Sequence, residues 1–401
     1  MHATLRAIAL LCIVLLIRPF TVHGYSVLTH EAIIDTVWKD SIEKVLLKRF
    51  PKASADDLLQ ARAYAYGGCI IQDMGYYPMG SHFFTDLTHY VRSADFVVAL
   101  LRGAEDVNEY AFALGALAHY VADNTGHPAA INRAVPILYP KVRKKYGDYV
   151  TYGDDPASHI KTEFGFDVLQ VARGRYVSQA YHDFIGFEVS KPVLERAFRE
   201  TYGLELDDVF NALDASIASY RKSVSKTIPK ATKVAWEIKK DEIVKNLPRA
   251  TAESFVFNYR KPGLGTKILA RVIRIVPKIG PLKAMAFHPP TPETEKLFLQ
   301  SFDTTVGRYR RLLTAEQAGR LQISDQNFDL GEPPKAGDYK LADDAYAKLV
   351  EHFAKHNFEG MSPELRSYIL AFYQDRNAPI ATKRHSKQWK TVVTALDANL
   401  R

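Results

Sequence analysis

Ala111-Phe-Ala-Leu-Gly-Ala-Leu-Ala-His119-Tyr-Val-Ala-Asp123 is an apolar run interrupted by one imidazole and one carboxylate, four residues apart. Ala and Leu favour the helix and no proline breaks the run, so it predicts a helix over residues 105–122 with Asp123 at its end. Residues i and i+4 share a helix face, which turns His119 and Asp123 toward the same point. Both groups need partners there, because an unpaired polar group in apolar surroundings costs free energy. Two arrangements supply them: a His–Asp hydrogen bond inside a bundle of helices, or an ion held by both side chains.

The segments on either side keep the helical period. Residues 31–50 carry Ile33, Ile34, Val37, Trp38, Ile42, Val45 and Leu46, a broad apolar stripe closed by Pro51. Ser54-Ala-Asp-Asp opens a helix that runs to Tyr66, where Gly67-Gly68 permits a stop or a bend. Ser93-Ala-Asp caps another through Leu101, and helical patterning continues over residues 157–171, 178–202, 205–247, 341–356 and 362–373. Met74 to Gly80 and Tyr146 to Pro156 carry the Gly, Pro and Asp of turns. No stretch alternates with period two and no segment repeats, so the expected fold class is all-α.

Composition narrows the chemistry. The 401 residues are 47% hydrophobic and 24% charged, with 22 Gly and 20 Pro, which excludes a low-complexity or compositionally disordered chain. Cys12 and Cys69 are the only cysteines, which excludes a disulfide scaffold and a thiolate-rich metal site and leaves the 13 histidines as the soft ligands. Residues 1–24 are expected to be a cleaved signal peptide: Arg6, an apolar run from Ala7 to Ile17, then Val22-His23-Gly24 before the cut. The run is short of the roughly 20 residues that span a bilayer. Cleavage before Tyr25 also removes Cys12, and a single thiol suits an exported bacterial protein, secreted or periplasmic. Charge is unevenly shared. Residues 25–250 are close to neutral, whereas residues 251–401 are strongly basic, the basis for expecting a domain at 25–250 and a mainly helical C-terminal region of unknown role at 251–401.

Six histidines fall between His30 and His159, most with a carboxylate nearby. His82/Asp86, His119/Asp123 and His159/Glu163 all have the i,i+4 spacing, of which chance alone would supply about one. Asp73 and His82 flank the Gly/Pro loop, and His127 lies four residues after Asp123, so one polynuclear site accounts for the set with the fewest assumptions. The order Tyr25, His30, Asp73, His82, His119-x-x-x-Asp123, His127, His159-x-x-x-Glu163 resembles the trinuclear zinc signature of the secreted bacterial zinc-dependent phospholipases C and the related fungal single-strand-specific zinc nucleases. The Ser-His82-Phe-Phe and Leu-Ala-His119-Tyr-x-x-Asp123 contexts are similar to the phospholipase branch. The resemblance covers residues 25–250.

The resemblance implies a multi-helix bundle around three Zn²⁺ ions. Asp73, His82, His119 and Asp123 would hold one, and His127, His159 and Glu163 a second. The third would take His30, the other oxygen of Asp123, and the α-amino and carbonyl groups of Tyr25. Family members usually begin with Trp at that point. The five-residue step from Tyr25 to His30 resembles the nuclease branch and Glu163 the phospholipase branch, so the ligands leave two substrates open: a phospholipid, or single-stranded nucleic acid. Three Zn²⁺ against three carboxylates leave a charge of about +3 for a phosphodiester anion, and zinc brings the pKa of bound water toward 7. Asp73 is either a ligand alone or also the acceptor of the water's proton. A non-catalytic helical protein that binds a membrane or a partner is the reading from another class.

Other features carry less. His89 and Asp86 are second partners orienting ligands, or ordinary helix polar residues. His352 and His356 have a metal-clip spacing without a third ligand, and Cys69 is expected to be a small buried hydrophobe. Tyr76, Tyr77, Phe83, Phe84 and Tyr152 are candidates for the wall of a headgroup pocket, or core packing. Residues 259–288 hold seven basic and no acidic residues among Ile, Val and Leu, a pattern for peripheral membrane contact, phosphate tracking, or a solvated packing segment.

Overall fold

A computed structural model describes residues 26–172, 186–246, 286–375, 377–380 and 386–398. The described residues form helices joined by loops. Their sole extended pairing is an isolated bridge between Asn327 and Glu332. The all-α expectation holds, and no described helix is long and apolar enough to cross a membrane.

Six helices position the site: α1 (Val27–Val37), α2 (Ala55–Gly68), α3 (His82–Tyr90), α4 (Ser93–Gly103), α5 (Val107–Gly126) and α6 (Pro156–Ala172). Helix α5 is the axis of the molecule, buried from Glu109 to Gly126. Asp106 caps it by accepting from the Asn108 and Glu109 amides, both at 2.8 Å, which satisfies two of the free N–H groups of its first turn. Helix α2 begins with a capping box, Ser54 Oγ accepting from the Asp57 amide at 3.1 Å while Asp57 Oδ2 accepts from the Ser54 amide at 2.8 Å.

The two helices approach backbone to backbone through glycine. A Cβ on Gly115 would stand 2.2 Å from the Ala65 carbonyl oxygen, and one on Gly68 would stand 2.0 Å from that of Phe112. This approach lets the Cys69 carbonyl at the end of α2 accept from His119 Nδ1 at 3.0 Å. Helix α5 then continues into a π-helical stretch, His127–Ile131, so His119, Asp123 and His127 follow one another at four-residue steps.

Several expected boundaries shift. The first helix is one helical path from Val27 to Arg49 with a π-helical stretch at Trp38–Ile42. Ser93 is the first residue of α4 rather than its cap, and its hydroxyl instead donates to the Gln326 carbonyl at 2.8 Å. The pattern expected over 178–202 is helical only at Lys191–Tyr202; residues 178–185 lie outside the described residues, and 186–190 are not helical. The helix α7 (Pro292–Gln317), opened by a Thr291 capping box, has no counterpart in the sequence reading. It lies along α5: Tyr309 donates to the Leu114 carbonyl at 2.7 Å and Phe298 stacks on Phe166 of α6. Helix α8 (Lys340–Lys355) covers α3, where Lys348 pairs with Asp86 at 3.1 Å. Residues 286–355 thus share a core with residues 26–172.

Candidate metal centre

The site is built where α1, α3, α5 and α6 meet the 3₁₀ turn Ile71–Tyr76. Ligand atoms of Asp73, His89, His119 and Asp123, all buried, lie within 4.8 Å of one another. Asp123 is the hub. Its Oδ2 is 3.2 Å from His119 Nε2, 3.6 Å from His89 Nε2 and 3.8 Å from His127 Nε2, and its Oδ1 is 3.3 Å from His30 Nε2. Asp73 Oδ1 lies 3.3 Å from His89 Nε2. The His30 and His119 rings stack at 4.6 Å.

Backbone carbonyls orient two of these rings. His89 Nδ1 meets the Thr85 carbonyl at 3.0 Å, as His119 Nδ1 meets that of Cys69. A carbonyl can only accept, so each ring carries a proton on Nδ1 and turns Nε2 inward. His159 sits on α6 with Nδ1 2.5 Å from Glu163 Oε1 and Nε2 2.8 Å from Asn132 Oδ1, and its ring is 5.0 Å from that of His127.

Burial opposes charge on His89, but the Asp123 and Asp73 carboxylates beside its Nε2 outweigh it and raise its pKa to about 10. Burial drives His159 down to about 3, helped by the neighbouring His127. Burial, with the Asp123 and Asp73 charges, pushes Glu163 well above the usual carboxylate range. Asp123 goes the other way: burial resists, but His119 and His127 hold it well below that range. Asp73 Oδ1, His89 Nε2, His119 Nε2, both Asp123 oxygens, His127 Nε2 and Glu163 Oε2 are buried with no hydrogen-bond partner. Buried polar atoms are ordinarily paired, so the unpaired atoms gathered around Asp123 fit the donor set of a metal cation. Imidazole and carboxylate without thiolate suit zinc.

Most of the expected ligands are brought together: His30, Asp73, His119, Asp123, His127, His159 and Glu163. His82 is not. It is exposed at the first position of α3, beside the Tyr76 ring at 5.4 Å, and the helix turns His89 inward two turns later. Asp86, its i+4 neighbour, pairs with Lys348 instead. Tyr25 and residues 259–285 lie outside the described residues. Of the stretch around 259–288, Phe287 is buried against Phe164 and the His288 amide donates to Tyr139. Tyr76 adjoins His89, and Tyr152 adjoins His159, whereas Tyr77 and Phe84 pack in the core against Tyr220 and Phe198. His352 and His356 face each other at 4.5 Å away from this centre, and Cys69 is a buried free thiol.

Residues 29–212 match the family described as zinc dependent phospholipase C. That stretch is a zinc-dependent phospholipase C family domain. It contains every histidine and carboxylate of the cluster just described. No curated protein and no solved structure matches the chain. The phospholipase C family match ends at residue 212, yet a carboxylate that hydrogen-bonds one of its histidines comes from beyond it. Asp329, buried, places Oδ1 2.5 Å from His127 Nδ1 and accepts at Oδ2 from Tyr90 at 2.7 Å and Tyr339 at 2.5 Å. Burial opposes its ionisation, but the His127 hydrogen bond and charge hold its pKa at about 2. Nothing in the spacing of residues 324–339 marks it.

Proposed function

We propose that the chain is an exported zinc-dependent phosphoric diester hydrolase of the phospholipase C type, cleaving a phospholipid on the glycerol side of its phosphate. The observation that carries the reading is the convergence of Asp73, His89, His119 and Asp123 on one buried point within a zinc-dependent phospholipase C family domain. Three ions fit the donors. Asp73, His89, His119 and Asp123 would hold one, His127, His159 and Glu163 another, and His30 with the second oxygen of Asp123 a third, completed by the backbone of Tyr25. Zinc would supply Lewis acidity toward the phosphoryl oxygens and an acidified water.

The protein's own groups do the rest. The carbonyls of Thr85 and Cys69 fix the Nε2 lone pairs of His89 and His119 toward the centre. Asp73, besides holding metal, would accept the proton of the attacking water. Burial excludes bulk water and strengthens each charge interaction on the phosphodiester. The apolar run at residues 7–17, with Val22 and Gly24 three residues and one residue ahead of Tyr25, supports removal of residues 1–24 on export.

Elemental analysis of the mature protein should find about three zinc per chain, and N-terminal sequencing should begin at Tyr25. Short-chain phosphatidylcholine and single-stranded DNA, assayed in parallel, choose the substrate. Hydrolysis of the lipid is expected. Cleavage of the DNA alone would overturn the phospholipase reading, and metal-free protein with an intact fold would overturn the metalloenzyme.

A further inference from the structure

Residues 324–339, outside the family domain, run across the metal centre between α7 and α8. Their path is fixed at close intervals. Tyr120 donates to the Ser324 carbonyl at 2.7 Å, Asp325 Oδ1 accepts from the Ala94 amide at 2.8 Å, and the Gln326 amide donates to Ser93 Oγ at 3.0 Å. The Phe328 amide then donates to the His89 carbonyl at 3.3 Å, and the Phe328 ring lies 4.9 Å from the His89 imidazole. Asn327 folds the next turn, accepting at Oδ1 from the Asp329 amide at 3.0 Å and at its carbonyl from the Gly331 amide at 2.7 Å. That turn delivers Asp329.

Asp329 reaches two histidines by two routes. Its carboxylate accepts a hydrogen bond from His127 Nδ1, which leaves Nε2 of His127, buried and without a partner, as the nitrogen that faces Asp123. Its backbone carbonyl accepts from Asn132 Nδ2 at 2.7 Å, and Tyr149 meets the same amide nitrogen at 3.0 Å. With its nitrogen committed on that side, Asn132 can turn only its Oδ1 to His159, so Nε2 of His159 carries the proton and Nδ1 is left beside Glu163. His127, His159 and Glu163 are one ligand set.

We propose that Asp329, supplied by the C-terminal segment, is a positioning residue of the metal centre that sets the ligating nitrogens of both His127 and His159. The inference rests on the zinc reading above. Two phenols, Tyr90 and Tyr339, hold the other carboxylate oxygen and leave the side chain one orientation. Carboxylate–histidine–metal arrangements of this kind are general, and their loss costs about 10–100-fold in metal affinity.

The test compares zinc binding by the full wild-type chain and by Asp329→Asn, titrated against a chromophoric chelator, with the melting temperature of each metal-free form. Asp329→Asn should lose one equivalent of zinc at a free concentration that saturates the wild type, its affinity there falling about 10–100-fold, while the remaining equivalents bind as before. Equal loss at every ion in step with a lower metal-free melting temperature would mean a structural role only, and unchanged binding would mean none; either overturns the proposal. If Asp329→Asn does not fold, Tyr339→Phe keeps the carboxylate, removes one phenol and must weaken the same ion; wild-type affinity there overturns the proposal. A wild-type chain that binds no zinc fails the functional reading itself, an outcome the variants cannot mimic.

Discussion

Gly115→Ala should damage the fold and the metal centre together. The added Cβ would lie 2.2 Å from the Ala65 carbonyl oxygen, 2.8 Å from the Cys69 amide nitrogen and 3.0 Å from the Gly68 carbonyl carbon. All three are backbone atoms, so no side chain can swing aside. A carbon–oxygen contact needs about 3.3 Å, and α2 and α5 must therefore separate by about 1 Å. Overpacking of this kind costs about 1–3 kcal/mol. At about 2–4 °C per kcal/mol for a domain of 150–250 residues, the metal-free melting temperature should fall by about 2–12 °C. The same displacement draws the Cys69 carbonyl away from His119 Nδ1, now 3.0 Å distant. With the ring no longer held, zinc affinity at the ion that His119 serves should drop about tenfold or more. Gly103→Ala is the control, since its Cβ would meet only Val193 Cγ2 at 3.8 Å; it should stay within about 0.5 kcal/mol of the wild type. Thermal denaturation followed by circular dichroism and chelator competition read the two effects. A Gly115→Ala protein with wild-type melting temperature and zinc affinity would refute the close approach and its link to His119.

His82→Ala should leave zinc content unchanged, because the side chain is exposed and outside the cluster, whereas His89→Ala should lose zinc from the ion shared with Asp73; metal analysis of both variants decides between the two histidines. Zinc binding near pH 7 should release protons, since the metal-free protein keeps His89 charged up to about pH 10 and Glu163 protonated well above its usual range, and both must ionise or neutralise to ligate. Calorimetric titration in two buffers of different ionisation heat would show this as unequal apparent enthalpies; equal enthalpies would contradict it. His159 should make the metal-free fold more acid-sensitive: it stays neutral down to about pH 3 when folded but takes a proton below about pH 6.5 when unfolded, so its contribution to stability falls as pH drops through that window, and His159→Asn should flatten the dependence. Denaturant midpoints at pH 7 and pH 4 measure it. Chelation should lower the melting temperature, with about 2.7 kcal/mol lost on going from zinc at 100 times Kd to none.

Local periodicity exposed the helices and the site in proportion to how local their causes are. The run from Ala111 to Asp123 is legible because capping, apolar content and the i,i+4 pair all lie within one helix. His159 and Glu163 are legible for the same reason. The Ser54 start of α2 is legible through its capping box, whereas the equivalent Thr291 start of α7 follows residues without a helical period and went unread. His82 was preferred to His89 by the same local logic: Asp86 stands at i+4 from His82, while the partners of His89, Asp73 and Asp123, come from a 3₁₀ turn and another helix. Register on α3 favours His89. With Ser81 as its cap the helix spends His82 in the exposed first turn and buries everything from Phe84 on.

The same contrast explains why a site seemingly complete within residues 29–212 depends on residue 329. A metal ligand is marked in sequence by its type, but the group that fixes a ligand's tautomer need only be an acceptor, and any buried carbonyl or carboxylate serves. For His89 and His119 that acceptor is a backbone carbonyl, invisible in composition and set by the register of α3 and by the Gly68–Gly115 approach. For His127 it is Asp329, one carboxylate among the 45 acidic residues, identifiable only once the chain folds back over α5. A charged acceptor does what a carbonyl cannot: it adds negative charge next to an imidazole at a centre where the cations would otherwise exceed the carboxylates. Asp329→Asn keeps an acceptor oxygen of similar shape and removes that charge, so a selective loss of one zinc in this variant would assign the effect to electrostatics, and unchanged binding would overturn the role proposed for Asp329.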